Sequence, residues 1–183
     1  MSNKDVWYNT FTGKKVFPLD PDPEQICLDD IAHALSNICR FTGHCSEFYS
    51  VAQHSILVSV YSSAENAMWG LLHDAAEAYL CDVTSPVKRS GLMSGYRAAE
   101  EKMMKCIAVK FGLSWPVPEE TIKLDGILLM TEARDLGLLN NEWPDYGEPM
   151  KTRVVPKSPG ESEQMFHEWY EIITWRNQDE VCR

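Results

Sequence analysis

The sequence has few basic residues, and this scarcity limits the partners that it can bind. Its 183 residues include 17 Lys and Arg against 27 Asp and Glu, which gives a net charge of −10 at pH 7. Binding to duplex DNA depends on Lys and Arg side chains that displace counterions from the phosphates. The deficit therefore argues against a nucleic-acid partner and against an anionic membrane surface. A small anionic ligand is compatible with it, because a divalent metal and a few local cations can outweigh a distant net charge.

The sequence also lacks the features of a secreted or membrane protein. No apolar run approaches the ~20 residues that span a bilayer, and the first five residues contain no apolar signal core. None of the six cysteines belongs to a Cys-x-x-Cys pair, so neither a zinc ribbon nor a thioredoxin-type site is predicted. We therefore expect a soluble, cytoplasmic protein whose cysteines are mostly small core residues.

Period-two alternation is confined to the start of the chain, and helical spacing dominates elsewhere. Residues 10–17 alternate around Gly13, which predicts a short β-hairpin or an extended arm. Helices are predicted over about 23–39, 47–62, 65–80, 94–111, 119–139 and 158–177. The sequence therefore predicts one all-α domain over residues 1–183, with an arm (1–22), a helical core (23–140) and a C-terminal loop and helix (141–183).

The third predicted helix places an imidazole next to a carboxylate, at His73 and Asp74. Apolar residues precede the pair, so the helix is expected to be buried there, and burying both groups costs several kcal/mol without compensation. A divalent cation compensates both at once, and imidazole nitrogen with carboxylate oxygen suits Zn, Mn, Fe or Co. The alternative is that the two side chains only bond each other or nearby backbone.

Two other predicted helices each hold one ligand-type residue among aliphatic ones. His54 lies within the largely apolar run 51–58, and Asp125 lies within the run 122–129. Together with His73 and Asp74 they form one plausible four-ligand metal site on three helices. A helical scaffold with incidental polar residues is the alternative, but it leaves these insertions unexplained.

Two further carboxylates are candidates for catalysis. Glu77 follows His73 by four residues and so projects from the same helix face. A carboxylate beside a metal can position an attacking water or take its proton, although an ordinary surface Glu fits the same position. Asp82 begins the next predicted loop, where an Asp of a turn is also expected.

These residues resemble a known family. The order His54, His73-Asp74 and Asp125 matches the H…HD…D signature of the HD-domain phosphohydrolase superfamily. Residues 73–77 with 82–88 resemble the HDxxE…DxxxPxK pattern of the YfbR-like 5′-deoxynucleotidases and of the phage dATP triphosphohydrolases (the DatZ group). Residues 40–44 look like the Arg-aromatic substrate loop of that group. The resemblance spans about residues 25–140 and implies an HD-domain helical bundle.

The resemblance implies a role for each matching position. The four ligands would hold a divalent ion such as Zn, Co, Mn or Mg. Glu77 would orient the attacking water, and Asp82 would support it or protonate the leaving group. The implied substrate-binding residues are Arg40 and Lys88 for phosphate oxygens, Phe41 for stacking on the base or sugar, Gly43 at the adenine pocket, His44 in the same loop, and Lys123 as a third cation.

The implied activity is hydrolysis of dATP or another dNTP to a deoxynucleoside and triphosphate. A 5′-deoxynucleotidase acting on dNMPs is the alternative within the family, and a non-catalytic nucleotide sensor is the alternative of another class. Phe41 stands where these relatives commonly have Trp, and Gly43 stands where they can have a bulky residue, so the base is left open. We also expect a homo-oligomer, either a dimer or a hexamer. The resemblance to phage proteins implies that a phage protein of this kind would act in the host cytoplasm.

Overall fold

A short hairpin precedes the helices of this protein. The computed structural model describes residues 5–140, 142–143 and 146–181. Strands β1 (Tyr8–Asn9) and β2 (Lys15–Val16) pair antiparallel, with Tyr8 opposite Val16. Gly13, at a φ of 80°, allows the turn between them. The predicted hairpin is thus confirmed, while residues 1–4 of the predicted arm lie outside the described residues.

The rest of the described chain is mainly helical, which confirms the all-α class apart from the hairpin. The helices are α1 (Leu28–Asn37), α2 (Val51–Tyr61), α3 (Ala67–Leu72), α4 (Glu77–Leu80), α5 (Ser85–Lys88), α6 (Ser94–Phe111), α7 (Glu119–Asp135) and α8 (Pro159–Val181). None of the described helices combines the length and the apolar character needed to cross a bilayer.

Helix α2 is the central element of the core. It packs against α1, α3, α7 and α8, and residues 51–56 are all buried. A helix buried on every side has no polar face for its polar side chains. His54 is therefore cut off from solvent, and its ring nitrogens depend on partners within the protein.

Helices α2 and α3 cross at Gly70. A Cβ at this position would lie 2.6 Å from Ser59 Cα, so only glycine permits the observed approach. The Ser59 hydroxyl donates to the Ala67 carbonyl and accepts from Trp169 Nε1 at 2.7 Å. This contact ties α2, α3 and α8 together directly beneath the segment that carries His73.

The structure corrects the helix predicted over residues 65–80. Helix α3 ends at Leu72 and α4 begins at Glu77, with tight turns between them in which Ala75 N donates to Leu72 O at 3.0 Å. The Gly70 carbonyl accepts a hydrogen bond from His73 Nδ1 at 2.8 Å, so a side chain occupies an acceptor of the helical ladder. The chain therefore turns where the two predicted ligands lie.

Smaller corrections concern where helices begin and end. Helix α2 begins at Val51 instead of residue 47, because the Ser50 hydroxyl accepts from Gln53 N at 3.1 Å and caps it. The predicted loop 82–88 contains the short helix α5, whose first turn includes Pro86. Helix α7 ends at Asp135, earlier than the predicted residue 139.

The prediction that the cysteines are mostly core residues is wrong for the described chain. All five described cysteines are free, but only Cys106 is buried. Cys27, Cys39 and Cys45 are half-buried and Cys81 is exposed; Cys27 donates to Asp30 at 2.9 Å, and Cys39 and Cys45 flank the turn around Arg40. Cys182 lies outside the described residues.

Candidate metal centre

The structure brings the four predicted ligands to one place. His54 Nε2, on α2, lies 3.3 Å from His73 Nε2 and 3.1 Å from Asp125 Oδ1 on α7. Asp74 Oδ2 lies 3.7 Å from His54 Nε2 and 3.3 Å from His73 Nε2. Ligand atoms of His54, His73 and Asp74 all lie within 4.8 Å of one another, which is close enough to hold one metal ion.

The hydrogen bonds of the two imidazoles direct lone pairs into this cluster. His54 Nδ1 donates to Glu132 Oε1 at 2.7 Å, and His73 Nδ1 donates to the Gly70 carbonyl at 2.8 Å. In the neutral rings each Nε2 then carries a lone pair, and two lone pairs at 3.3 Å repel each other. A shared cation removes this repulsion, so the donor set of two imidazoles and two carboxylates fits a divalent metal.

The charges around the cluster shift the pKa values of its members. Burial and Arg40 lower the pKa of His54, but Glu132 and Asp125 outweigh them and raise it to about 9. Burial raises the pKa of Asp74, but the opposing effects of His73, His54 and Arg40 are larger. The net pKa lies below the ordinary value, so this carboxylate stays ionised. Burial also raises the pKa of Asp125, but the contact with His54 outweighs burial and lowers it below the ordinary value. At neutral pH the two aspartates are therefore ionised, and a proton on His54 offsets part of their charge.

Glu132 is a residue of the site that sequence reasoning missed. Its side chain is fully buried, and it accepts from His54 Nδ1, from Tyr49 OH at 2.8 Å and from Arg40 Nε at 3.1 Å. Burial raises its pKa, but Arg40 and His54 lower it below the ordinary value. Its position could have been found, because Glu132 follows Asp125 by seven residues and thus lies two turns along the same face of α7.

Arg40 reaches the cluster from a strained turn. Its guanidinium lies between two carboxylates, with Nε 3.1 Å from Glu132 Oε2 and NH1 3.6 Å from Asp74 Oδ2. The next two residues, Phe41 and Thr42, have φ values of 56° and 54°. This left-handed conformation costs about 1–2 kcal/mol per residue, and such strain is characteristic of functional sites.

The predicted catalytic carboxylate lies at the same place. Glu77 is buried, and its Oε2 has no hydrogen-bond partner among the described residues. Burial, with repulsion from Asp74 and Asp82, raises its pKa well above the ordinary value. Asp82 is half-buried, and its pKa is also raised by burial. Lys88 Nζ lies 3.6 Å from Glu77 Oε1 and 2.6 Å from Glu100 Oε1.

A cavity of about 340 Å³ opens beside the cluster. Its lining residues are His73, Asp74, Ala76, Glu77, Lys88, Arg97, Glu100, Glu101, Met104, Trp115, Val117, Thr121, Ile122 and Asp125. The lining thus combines three of the predicted ligands, His73, Asp74 and Asp125, with apolar side chains. Its volume is in the range of small-molecule sites.

Not every predicted substrate residue lies at the cavity. Phe41 is half-buried beside Arg40, with its ring centroid 6.2 Å from that of Trp143, but it does not line the cavity. Gly43 and His44 are exposed on the same turn and do not line it either. Lys123 points to solvent from α7 and is not in the lining, which places it apart from the predicted phosphate cations, because it is two residues before Asp125 and so on another face.

Two known proteins are similar in sequence to this chain over most of its length or over nearly two thirds of it. It is 44% identical over 170 residues to the uncharacterized protein YfdR of Escherichia coli strain K12, which covers 90% of this chain and 94% of that protein. It is 34% identical over 124 residues, 63% of each chain, to the uncharacterized protein RCAP_rcc00048 of Rhodobacter capsulatus. No family model matches the sequence. At this identity and coverage, the chain belongs to the family of the E. coli protein YfdR.

Proposed function

We propose that this chain is a metal-dependent HD-domain phosphohydrolase that acts on deoxynucleotides, with dATP or another dNTP as substrate and a deoxynucleoside and triphosphate as products. The observation that carries the metal-dependent part is the pair of imidazole Nε2 atoms facing each other at 3.3 Å beside two carboxylates. The superfamily and the deoxynucleotide substrate rest on the motif resemblance described above.

In this proposal His54, His73, Asp74 and Asp125 hold the cation. A divalent ion at such a site supplies Lewis-acid activation of a phosphoryl oxygen and of water. Glu77 has a buried oxygen that lacks a hydrogen-bond partner in the described part of the chain, and it would accept the proton of the attacking water there. Its raised pKa suits a group that must take up and release a proton near neutral pH. Asp82 supports this transfer from the edge of the site.

In this proposal Lys88 and Arg40 bind the phosphate; Lys88 lines the cavity, whereas Arg40 contacts Asp74 from outside the lining. Lys88 lies within 3.6 Å of Glu77 and can exchange its contact with Glu100 for a phosphate oxygen. Arg40 keeps its planar fork beside Asp74, and this shape suits two phosphate oxygens at once. Phe41 follows Arg40 directly but does not line the cavity, so its contact with the base or sugar requires a substrate that extends beyond the cavity.

A 5′-deoxynucleotidase acting on dNMPs is the second candidate, and one observation favours it. The cavity is lined by five carboxylates but by only two basic residues, Lys88 and Arg97. Arg97 NH1 already donates to the carbonyls of Lys88 and Ser90. A triphosphate brings more negative charge than this lining can neutralise, whereas a monophosphate brings less.

A substrate panel with added metal tests the proposal. Purified protein is incubated with each of the four dNTPs and dNMPs in the presence of Zn²⁺, Co²⁺, Mn²⁺ or Mg²⁺, and the products are separated by chromatography. Deoxynucleoside plus triphosphate is the expected result. Phosphate released from dNMPs alone would replace it with the second candidate, and tight nucleotide binding without turnover would indicate a sensor.

The variant Asp74→Ala is the matched test of the ligand assignment. It removes one proposed metal ligand, a carboxylate in which burial raises the pKa but His73 and His54 lower it below the ordinary value, and it lies outside α3, which ends at Leu72. We expect it to lose both bound metal, measured by elemental analysis, and turnover. Lys110→Ala, at an exposed position on α6, serves as the control and should keep both. Full activity in Asp74→Ala would refute the assignment.

A further inference from the structure

Glu132 holds two different parts of the site with one side chain. Its Oε1 accepts from His54 Nδ1 at 2.7 Å, and its Oε2 accepts from Arg40 Nε at 3.1 Å. The carboxylate itself is fully buried and does not line the cavity. It therefore acts through other residues, since it cannot reach a ligand in the cavity.

Its contact with His54 affects the cation site. A carboxylate that accepts from Nδ1 keeps the proton on that nitrogen and leaves the lone pair of Nε2 directed at the cluster. It also makes the ring a better donor, because negative charge on the far side raises the basicity of Nε2. Without Glu132, the buried ring of His54 would be free to take the other tautomer or to rotate.

Its contact with Arg40 affects the anion side of the site. Arg40 lies between Glu132 and Asp74, and the longer of the two contacts, 3.6 Å, is the one to Asp74. Glu132 is therefore the closer of the two carboxylate partners of Arg40. Without it, Arg40 would turn to Asp74 as its remaining partner, where it would compete with a cation for the same carboxylate.

We infer that Glu132 is a positioning residue that serves both halves of the site: it orients His54 toward the cation and keeps Arg40 from competing for Asp74. This inference rests on the proposed function, because it assumes a cation at the cluster and a phosphate anion near Arg40. It predicts that a single buried substitution, remote from both ligands, weakens the binding of each.

The test measures binding and does not depend on turnover. Co²⁺ is titrated into metal-free protein and followed by its visible absorption and by calorimetry, and dAMP is then titrated into the cobalt-saturated protein. We expect Glu132→Gln to weaken Co²⁺ binding roughly 10–100-fold, as for partners that orient metal-bound histidines. We also expect an altered cobalt spectrum and weaker dAMP binding.

Tyr49→Phe is the matched control. It removes a hydrogen bond to the same carboxylate oxygen at a buried position, but it touches neither His54 nor Arg40 through its hydroxyl. It should lower the thermal midpoint while leaving the affinity for Co²⁺ within about threefold, less than a third of the smallest effect expected for Glu132→Gln. Equal losses of Co²⁺ affinity in the two variants would overturn the inference, because they would point to general loosening of the core.

Removing one partner of a buried ion pair can unfold a protein, so a second comparison is needed. Arg40→Gln is compared with the double variant Arg40→Gln/Glu132→Gln, in which no buried charge is left alone. The double variant should bind Co²⁺ at least tenfold more weakly than the single one. Equal affinities would reject the role of Glu132 while leaving the metal site standing, whereas wild-type protein that binds no Co²⁺ would reject the proposed function itself.

Discussion

The substitution Gly70→Ala tests whether the crossing of α2 and α3 sets the geometry of the site. The new Cβ would lie 2.6 Å from Ser59 Cα and 2.8 Å from Ser59 N, both of which are backbone atoms. Carbon atoms pack without repulsion at about 3.5–4.0 Å, so the two helices must separate by roughly 1 Å. His73 is three residues further along and would move away from His54 with α3.

The expected loss of stability follows from two opposing effects. Overpacking a core costs about 1–3 kcal/mol, and the upper end applies here because the obstructing atoms cannot rotate away. Alanine favours a helix over glycine by about 1 kcal/mol. The free energy of unfolding should therefore fall by about 2 kcal/mol. Metal affinity should fall as well, because a metal site tolerates only about 0.2 Å of error in its ligand distances.

Urea denaturation and Co²⁺ titration measure the two effects in the same protein. Gly95→Ala on α6 is the control, since nothing lies within 4 Å of its added Cβ, and its stability should be unchanged or higher by up to about 1 kcal/mol. A Gly70→Ala protein with wild-type stability would refute the packing argument. A destabilised variant with wild-type affinity for Co²⁺ would show that the crossing does not control the site.

Three further predictions concern metal, acid and backbone strain. Metal at 100 times its dissociation constant at pH 8 should stabilise the protein at that pH by about 2.7 kcal/mol. The same metal concentration should stabilise it less at pH 6, because a His54 pKa of about 9 makes protons compete with the metal. Calorimetric midpoints with and without metal at both pH values check this, and equal shifts would contradict it. Asp30→Ala should cost about 2 kcal/mol at pH 7, since Asp30 accepts from Thr12 N and Cys27 Sγ. Burial raises the pKa of Asp30, but these hydrogen bonds outweigh burial and lower it, so the stabilisation by Asp30 is present above the ordinary pKa and is lost as the pH falls through the pKa of the folded state. The difference in unfolding free energy between wild type and variant should therefore be smaller at pH 3 than at pH 7 in denaturation curves. A difference that does not change with pH would argue against this role. Cys81→Gly should stabilise the protein by about 1 kcal/mol in a thermal melt, because Cys81 has a φ of 67° and a ψ of 155°; a lower midpoint would mean that its side chain matters more than its backbone.

The candidate ligands could be picked out from the sequence because they are polar residues within or directly after apolar segments. His54 interrupts a helix that is buried on every side, and His73-Asp74 follows a fully buried α3. A buried group of this kind needs a partner, and the pattern of such exceptions survives errors in the helix ends. The four candidates were therefore identified together, and the structure brings them together, although the helix predicted over residues 65–80 is broken.

Glu132 was not predictable by the same argument. It stands in the stretch Thr131-Glu132-Ala133-Arg134-Asp135, where charged neighbours make it look like part of a solvated helix face. Its burial depends on α2 and on the turn of Arg40, which are distant in sequence. The break at residues 73–76 escaped prediction for a similar reason, since alanines favour a continuous helix and only the contact of His73 with the Gly70 carbonyl opposes it.

The basic residues of the site are already matched with carboxylates. Arg40 lies 3.1 Å from Glu132, and Lys88 lies 2.6 Å from Glu100. Each pair is partly or fully buried, and Arg40 also lies 3.6 Å from Asp74, so neither cation can move to a new partner without leaving a carboxylate uncompensated. The resemblance assigns both residues to phosphate, and in the proposed function each would have to share its charge between a phosphate and a carboxylate.

The remaining charges of the site then call for a divalent cation. Asp74 and Asp125 both have lowered pKa values and stay ionised, while the raised pKa of Glu77 suits its proposed role of exchanging a proton. These two carboxylates lie beside two imidazole lone pairs and together carry the charge of one divalent ion with the opposite sign, which Arg40, 3.6 Å from Asp74 and shared with Glu132, offsets only in part. A proton on His54, whose pKa is raised to about 9, is a partial substitute. Since one proton compensates only half of this charge, the site is stabilised most by an ion of charge +2.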